Sequence, residues 1–164
     1  MKEQTAPNIP ETDSAGVKVM PPSVFLSCLL SGICLEIIFS WPLVLGNWLI
    51  MSIVGTAITS AGLYFMMWGH GRFQALGVNV PTNMPVSRLV TDGAHKYSRN
   101  PMYVGFISIL IGFGLAAGSI WIFVAALPMA LYLAFYVVPR EEAYLTRTFG
   151  EKYETYRKSV RRWL

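Results

Sequence analysis

Four long apolar runs constrain this sequence more than any other feature. Each is close to the length of helix, about 20 residues at a rise of about 1.5 Å per residue, that crosses the roughly 30 Å hydrocarbon core of a bilayer. A water-soluble helix would show polar residues about once per turn, whereas Glu36 is the only charged residue within the runs. We therefore predict an all-α polytopic membrane protein with four transmembrane helices. The runs cover residues 24–45, 47–68, 101–118 and 120–138.

The basic residues indicate which side of the membrane the polar segments occupy. Only 13% of the residues are charged and 54% are hydrophobic, against about a quarter charged in soluble domains. Of the 13 Lys and Arg residues, two precede the first run, four lie between the second and third runs, and seven follow the fourth. The positive-inside rule then places both termini and the middle loop in the cytosol. Because topology explains the net charge of +4, the sequence gives no reason to expect a nucleic-acid partner.

This topology divides the chain into five segments. The first is rich in charge and contains four prolines, which favours disorder. The last alternates apolar and basic positions as an amphipathic helix on the cytosolic face does, with a break expected at Gly150. The segments are a disordered tail (1–22), a transmembrane hairpin (23–68), a cytosolic loop (69–100), a second transmembrane hairpin (101–139) and a cytosolic carboxyl-terminal segment (140–164).

Cysteine and histidine usage argues against a metal site. Cys28 and Cys34 share one apolar run, without a cysteine cluster elsewhere that would form a disulfide framework or a thiolate site. His70 and His95 lack a carboxylate at metal-ligand spacing. We therefore predict no metal, and we find no Ser/His/Asp or Cys/His set for nucleophilic hydrolysis.

The segment that leads into the third run carries the first candidate site. Asn100 followed by Pro101 is the signature of a helix start, and the free amides and positive dipole end of a helix suit an anion. His95 and Arg99 lie beside this start, and Tyr103 offers a hydroxyl one turn later. The structural alternative is that Asn100 only caps the helix, Arg99 only fixes membrane orientation and Tyr103 belongs to an aromatic belt.

Three further groups have both a functional and a structural interpretation. Glu141 and Glu142 point about 100° apart on a helix, so that at most one faces a given ligand; the alternative is a solvated helix end. Gly112 and Gly114 either leave a strip of bare backbone for a flat cofactor or allow close helix packing. Glu36 is either a functional carboxylate at membrane depth or a protonated carboxyl that bonds to a neighbouring helix.

Several motifs follow one another in a fixed order between residues 73 and 164. They are Leu89-Val90-Thr91-Asp92-Gly93, Tyr97-Ser98-Arg99-Asn100-Pro101-Met102-Tyr103-Val104-Gly105, Glu141-Glu142, Leu145, Phe149-Gly150, Tyr153, Tyr156, Val160 and Arg161. Together they resemble the isoprenylcysteine carboxyl methyltransferase family, and the related phospholipid methyltransferases share much of the pattern. The resemblance implies a polytopic enzyme that transfers a methyl group from S-adenosylmethionine to a lipophilic acceptor. It also implies that the cofactor lies between the cytosolic ends of the last helices and the carboxyl-terminal segment.

The resemblance further implies which residues hold the cofactor. Glu141 matches a family glutamate near the reacting groups, and two glycines match a Gly-x-Gly element of the phospholipid branch. The implied residues are Ser87, Arg88, Leu89, Val90, His95, Asn100, Pro101, Met102, Tyr103, Gly112, Gly114, Glu141 and Glu142. The sequence departs from the eukaryotic prenylcysteine enzymes where Asn100 replaces a usual His, His95 replaces a common Tyr, and Val137 stands where those enzymes have a basic residue. These departures weaken carboxyl methylation more than methyl transfer itself.

We therefore expect an integral membrane methyltransferase that uses S-adenosylmethionine, releases S-adenosylhomocysteine and acts on a lipophilic acceptor among membrane lipids at the cytosolic face. Glu141 and Tyr103 are the expected catalytic residues; the start of the third helix and His95 would anchor the cofactor carboxylate. Isoprenylcysteine carboxyl methylation is the first interpretation. The alternatives are N- or S-methylation of a phospholipid or another small molecule, and a non-enzymatic lipid-binding or assembly role. The sequence leaves the acceptor and the oligomeric state open.

Overall fold

A computed structural model describes residues 14–78 and 84–164. Every regular element in these residues is helical, apart from an isolated bridge between Pro42 and Ser119. A 3-10 turn lies at Gly93–Lys96 and a π-helical turn at Leu133–Val137. The α-helices are α1 (Pro21–Phe39), α2 (Trp48–Ala75), α3 (Pro101–Ala117), α4 (Ile120–Val124), α5 (Ala126–Tyr132), α6 (Val138–Phe149) and α7 (Glu151–Ser159).

Three stretches of helix are long and apolar enough to cross a bilayer. They are α1, α2 and the run Ile120–Phe149, which contains α4, α5, the π-helical turn and α6. The apolar α3 has 17 residues and therefore a length of about 26 Å, somewhat less than the roughly 30 Å hydrocarbon core. The all-α prediction is confirmed for the described residues, and a fourth crossing by α3 stays a prediction.

Glycines bring the backbones of α2 and α3 into direct contact. Gly55, Gly62 and Gly69 recur every seven residues along α2 and are buried, as are Gly105 and Gly112 of the antiparallel α3. A Cβ atom added at Gly112 would lie 2.6 Å from the Gly55 carbonyl oxygen, and one at Gly105 would lie 2.8 Å from that of Gly62. Both distances are shorter than a van der Waals contact, so the interface tolerates no side chain there. Small residues serve this purpose in membrane helices generally.

The end of the bundle away from the start of α3 is closed by aromatic and polar contacts. Trp41 and Trp121 stack with their ring centroids 5.7 Å apart. Ser119 caps α4 by accepting a hydrogen bond from the Ile122 amide, and its hydroxyl donates to Glu36 Oε2 over 2.6 Å. Glu36 thus bonds to a neighbouring helix, as in the structural interpretation of this residue.

The last long helix continues past the predicted boundary at residue 139. The π-helical turn, in which the Val138 amide bonds to the Leu133 carbonyl, comes immediately before Pro139. Proline lacks an amide donor and normally ends a helix, but here it occupies the first turn of α6, where such a donor is not needed. The boundary at residue 139 between transmembrane and cytosolic parts of this helix stays a prediction, whereas the predicted break at Gly150, where α6 ends with φ of 53°, is present. In the same way, α2 extends to Ala75 and not to residue 68.

The predicted disordered tail, residues 1–22, is ordered in its second part. Pro21 begins α1, and residues 14–20 lie against the helices with Val17 buried in the apolar core. Composition favoured disorder because it averages over all 22 residues of the segment. It does not reveal that the side chain of Val17 is buried and holds the short stretch 14–20 in place. Residues 1–13 lie outside the described part of the chain.

Candidate active site

A cavity opens at the end of the bundle where α2 ends and α3 begins. It has a volume of about 880 Å³, counting its open mouth. The start of α3, the polar helices α6 and α7, and the segment 84–95 form most of its wall. The lining residues are Ala15, Phe73, Met84, Val86, Arg88, Leu89, Val90, His95, Arg99, Asn100, Pro101, Met102, Tyr103, Glu141, Glu142, Tyr144, Leu145, Tyr153 and Tyr156.

The structure brings most of the predicted site residues to this cavity. Ser87 is not among its lining residues, although its neighbours on both sides are. Gly112 and Gly114 lie deeper along α3 and pack against other helices: a Cβ at Gly114 would lie 2.4 Å from the Phe123 amide nitrogen. The packing interpretation of both glycines therefore accounts for their positions.

Tyr103 and Glu141 form a short hydrogen bond between two helices. The Tyr103 hydroxyl donates to Glu141 Oε1 over 2.5 Å. Tyr103 lies in the first turn of α3 and is buried, while Glu141 lies in the first turn of α6. The bond fixes the direction of the carboxylate and leaves its second oxygen for another partner.

Glu142 points away from its neighbour and pairs with two arginines. Arg99 Nη2 lies 3.0 Å from Glu142 Oε1, and Arg162 reaches both carboxylate oxygens over 3.0 and 2.6 Å. Adjacent helical residues diverge by about 100°, which is why the two glutamates contact different groups. The two-sided arrangement expected from the sequence is thus present.

Three buried nitrogen atoms at the cavity lack a hydrogen-bond partner within the described residues: Arg99 Nε, Arg99 Nη1 and His95 Nδ1. Burial lowers the pKa of His95 from 6.5 to about 4, so its imidazole is neutral near pH 7. The ring meets Phe73 edge to face at 5.1 Å. Unpaired buried donors are costly, and these nitrogens are therefore suited to a polar ligand.

The predicted cap at Asn100 is only half correct. Asn100 is the N-cap residue and Pro101 begins α3, but the Asn100 side chain does not cap the helix. Its amide Nδ2 instead donates to the Arg162 carbonyl oxygen over 2.9 Å. The Arg99 amide likewise donates to the Arg161 carbonyl over 2.9 Å. These bonds fasten the end of the chain to the start of α3.

The loop side of the cavity is held by a tyrosine and an ion pair. The Val86 amide donates to the Tyr144 hydroxyl over 3.0 Å, which places the neighbouring Leu89 and Val90 at the cavity wall. Hydrogen bonds from Arg72 lower the pKa of Asp92 and tie the loop to α2.

Sequence reasoning missed Arg162, Tyr144, Tyr153 and Tyr156. The Tyr156 hydroxyl donates to the His95 carbonyl over 2.7 Å, and Tyr153 is buried at the cavity wall. Their spacing indicated one face of an amphipathic helix, but not what that face covers. For Arg162 the sequence carries no such signal, because its contacts depend on the chain folding back over α3.

Comparison with known proteins gives the family. The sequence profile described as phospholipid methyltransferase matches residues 43–152, which is more than half of the chain. The chain belongs to the phospholipid methyltransferase family. The match contains Tyr103, Glu141 and Glu142 and ends before Arg162. It confirms the resemblance read from the sequence and identifies a membrane methyltransferase family.

Two relatives agree with this assignment. A protein-S-isoprenylcysteine O-methyltransferase of Schizosaccharomyces pombe is 44% identical over 75 residues, which are 44% of this chain and 30% of the relative. An uncharacterized protein of Haemophilus influenzae is 33% identical over 63 residues, 38% of this chain and the full length of that relative. This chain thus matches less than a third of the length of the yeast enzyme. No solved structure matches significantly.

Proposed function

We propose that this protein is an S-adenosylmethionine-dependent methyltransferase that acts on a lipophilic acceptor at the cytosolic face of a membrane. In this proposal α3 is the fourth crossing, both termini are cytosolic, and α6 and α7 form the amphipathic segment that covers the cofactor. The observation that carries it is the cavity at the start of α3. There, the Tyr103–Glu141 pair adjoins a buried arginine with unpaired N–H groups, within a chain of a methyltransferase family.

The residues at the cavity fit this cofactor. The unpaired Arg99 N–H groups suit its carboxylate, since guanidinium and carboxylate pair in a planar fork. His95 was expected to anchor the same carboxylate, but a neutral imidazole supplies a single hydrogen bond and no charge. Leu89, Val90 and Met102 supply the apolar wall that an adenine ring requires. Glu141 has a free oxygen for the ammonium group or for the acceptor.

The chain's own residues position the reactants and exclude water. When bound, S-adenosylmethionine supplies an electrophilic methyl group that an acceptor attacks in line. Alignment and a dry site contribute most to such a displacement. An ionised carboxylate acceptor needs no base, whereas an amine or thiol loses a proton that Glu141, oriented by Tyr103, is placed to accept.

The acceptor class we favour is an isoprenylcysteine carboxylate, as the name of the relative from Schizosaccharomyces pombe suggests. Val137 argues against this acceptor class, because it is fully buried in the apolar core. In the prenylcysteine enzymes a basic residue occupies the matching position. The family name favours a phospholipid acceptor instead. A membrane protein of this family that binds lipid without catalysis is the remaining alternative.

Calorimetric titration of the purified protein with S-adenosylhomocysteine tests the cofactor. We expect micromolar binding that Glu141→Ala or Tyr103→Phe weakens and that Glu151→Ala, an exposed change on α7, leaves unchanged. Labelled methyl donor then identifies the acceptor among prenylcysteine, phosphatidylethanolamine and long-chain thiols. A monodisperse protein that does not bind S-adenosylhomocysteine would refute the proposal and favour the non-enzymatic role.

A further inference from the structure

Residues 14–20, which we call the strap, cross the cavity end of the bundle before α1 begins. Ala15 lines the cavity. Val17 is 3% exposed and belongs to the core cluster that contains Tyr103. The strap therefore covers the side of the cavity on which the Tyr103–Glu141 pair lies.

Two tyrosines near the π-helical turn hold the strap by its backbone. The Lys18 amide donates to the Tyr136 hydroxyl oxygen over 3.3 Å, and the Tyr132 hydroxyl donates to the Val19 carbonyl. The two rings stack with centroids 5.2 Å apart. Because these bonds involve backbone atoms of the strap, they can be removed without changing the strap's sequence.

The strap bends at one point and is fixed at another. Gly16 has φ of +65°, a left-handed conformation that favours glycine, and no atom of the described residues lies within 4 Å of the place a Cβ would occupy. The strap ends where Pro21 begins α1, and α1 is seated on α3 through the stacked rings of Phe25 and Phe106. Since α1 stays in place, Val17 would leave its position by rotation of the backbone in residues 18–20, between Val17 and the start of α1.

The strap joins two stretches that border the lipid. It runs from the start of α1 to tyrosines of the run Ile120–Phe149, and both are apolar enough to cross a bilayer. The strap therefore lies between two helical stretches that are both candidates to contact lipid. Elsewhere at the cavity wall, two ion pairs hold Glu142, whereas hydrogen bonds and apolar packing hold the strap.

We propose that the strap is the gate through which a lipophilic methyl acceptor passes from the membrane to the Tyr103–Glu141 pair. The proposal rests on the function proposed above. With the strap closed, Val17 fills apolar space beside Tyr103. When the strap leaves the two tyrosine hydroxyls, the hydrocarbon chain of an acceptor takes the place of Val17. The cofactor enters on the polar side and does not need this movement.

The test measures access to the cavity and needs no knowledge of the acceptor. A cysteine reporter at Met102, which lines the cavity, is placed in a Cys28→Ser/Cys34→Ser protein in lipid nanodiscs. Its modification is timed with a lipid-soluble reagent, N-cyclohexylmaleimide, and with an anionic reagent, sulfonatoethyl methanethiosulfonate.

Two changes to this reporter protein open the proposed gate. Tyr132→Phe with Tyr136→Phe removes both hydroxyls and keeps both rings, and deletion of residues 1–19 removes nearly the whole strap. Tyr64→Phe, on an exposed part of α2, is the matched control for loss of a tyrosine hydroxyl. Calorimetry with S-adenosylhomocysteine on the corresponding proteins with Met102 intact shows whether the site is still folded.

We expect the double Phe variant to raise the maleimide rate about tenfold, from the loss of two hydrogen bonds. The deletion should raise it at least as much, and the anionic reagent and the Tyr64→Phe control should change little. Equal maleimide rates with the strap intact, released or deleted would overturn the gate, and so would equal increases for both reagents. Failure of the wild type to bind S-adenosylhomocysteine would instead refute the proposed function, whatever the reagent rates.

Discussion

Glu142→Gln should destabilise the protein far more than Arg162→Met, which removes the arginine near the carboxyl terminus that pairs with Glu142. The side chains of Glu142 and Arg99 are 12% and 10% exposed, and that of Arg162 is 43% exposed. Glu142→Gln leaves the buried Arg99 guanidinium unpaired, and breaking a buried pair in this way costs about 3–5 kcal/mol. Arg162→Met breaks a pair that solvent screens, at a cost of about 1 kcal/mol.

Thermal unfolding in detergent measures this difference. For a chain of this size each kcal/mol lowers Tm by about 2–4 °C, so Glu142→Gln should lower it by about 6–20 °C and Arg162→Met by about 2–4 °C. The double variant should lose little beyond Glu142→Gln, because the partner of Arg162 is already neutral. Equal small shifts for the single variants, or additive losses in the double variant, would refute the reasoning.

Two further predictions concern the helix interface and the buried histidine. Gly55→Ala should lower the free energy of unfolding by about 1–3 kcal/mol, because its Cβ would lie 2.4 Å from a backbone nitrogen of α3. Gly71→Ala should instead stabilise α2 by up to about 1 kcal/mol, because no atom of the described residues lies within 4 Å of its Cβ position. Equal denaturation midpoints for the two variants would contradict the packing. Because the pKa of His95 is lowered from 6.5 to about 4 on folding, the unfolded chain binds the proton more readily between these pH values. The free energy of unfolding should therefore fall, as the pH drops from 6.5 to about 4, by up to about 1.4 kcal/mol per pH unit. His95→Phe should remove that part of the slope in melts recorded between these pH values, and an unchanged slope would show that the imidazole is accessible to solvent.

Features set by short-range periodicity could be predicted from the sequence. The Asn100-Pro101 pair marked the start of α3, and adjacent glutamates on a helix had to face different partners. The seven-residue repeat of Gly55, Gly62 and Gly69 could also have been recognised in the sequence, because it places three small residues on one face of α2. It was overlooked as a sign of close helix packing.

Contacts between distant segments could not be predicted in the same way. The Asn100 side chain was expected to accept from its own helix, yet it donates to the Arg162 carbonyl, because the chain end returns to this point. Burial of Val17 likewise depends on where α1 meets the rest of the bundle. Nothing local to either residue encodes these arrangements.

The glycine contacts between α2 and α3 also fix the rotation of α3 about its own axis. Tyr103 precedes Gly105 by two residues, which is about 200° around a helix. Since Gly105 must face α2, Tyr103 is turned to the opposite side, where α6 presents Glu141. Inserting one residue between them would turn Tyr103 by about 100° while α3 kept its seat on α2. The direction of Tyr103 is therefore set by the interface between α2 and α3, which lies outside the cavity. A change of register at this interface would disable the site without unfolding the bundle.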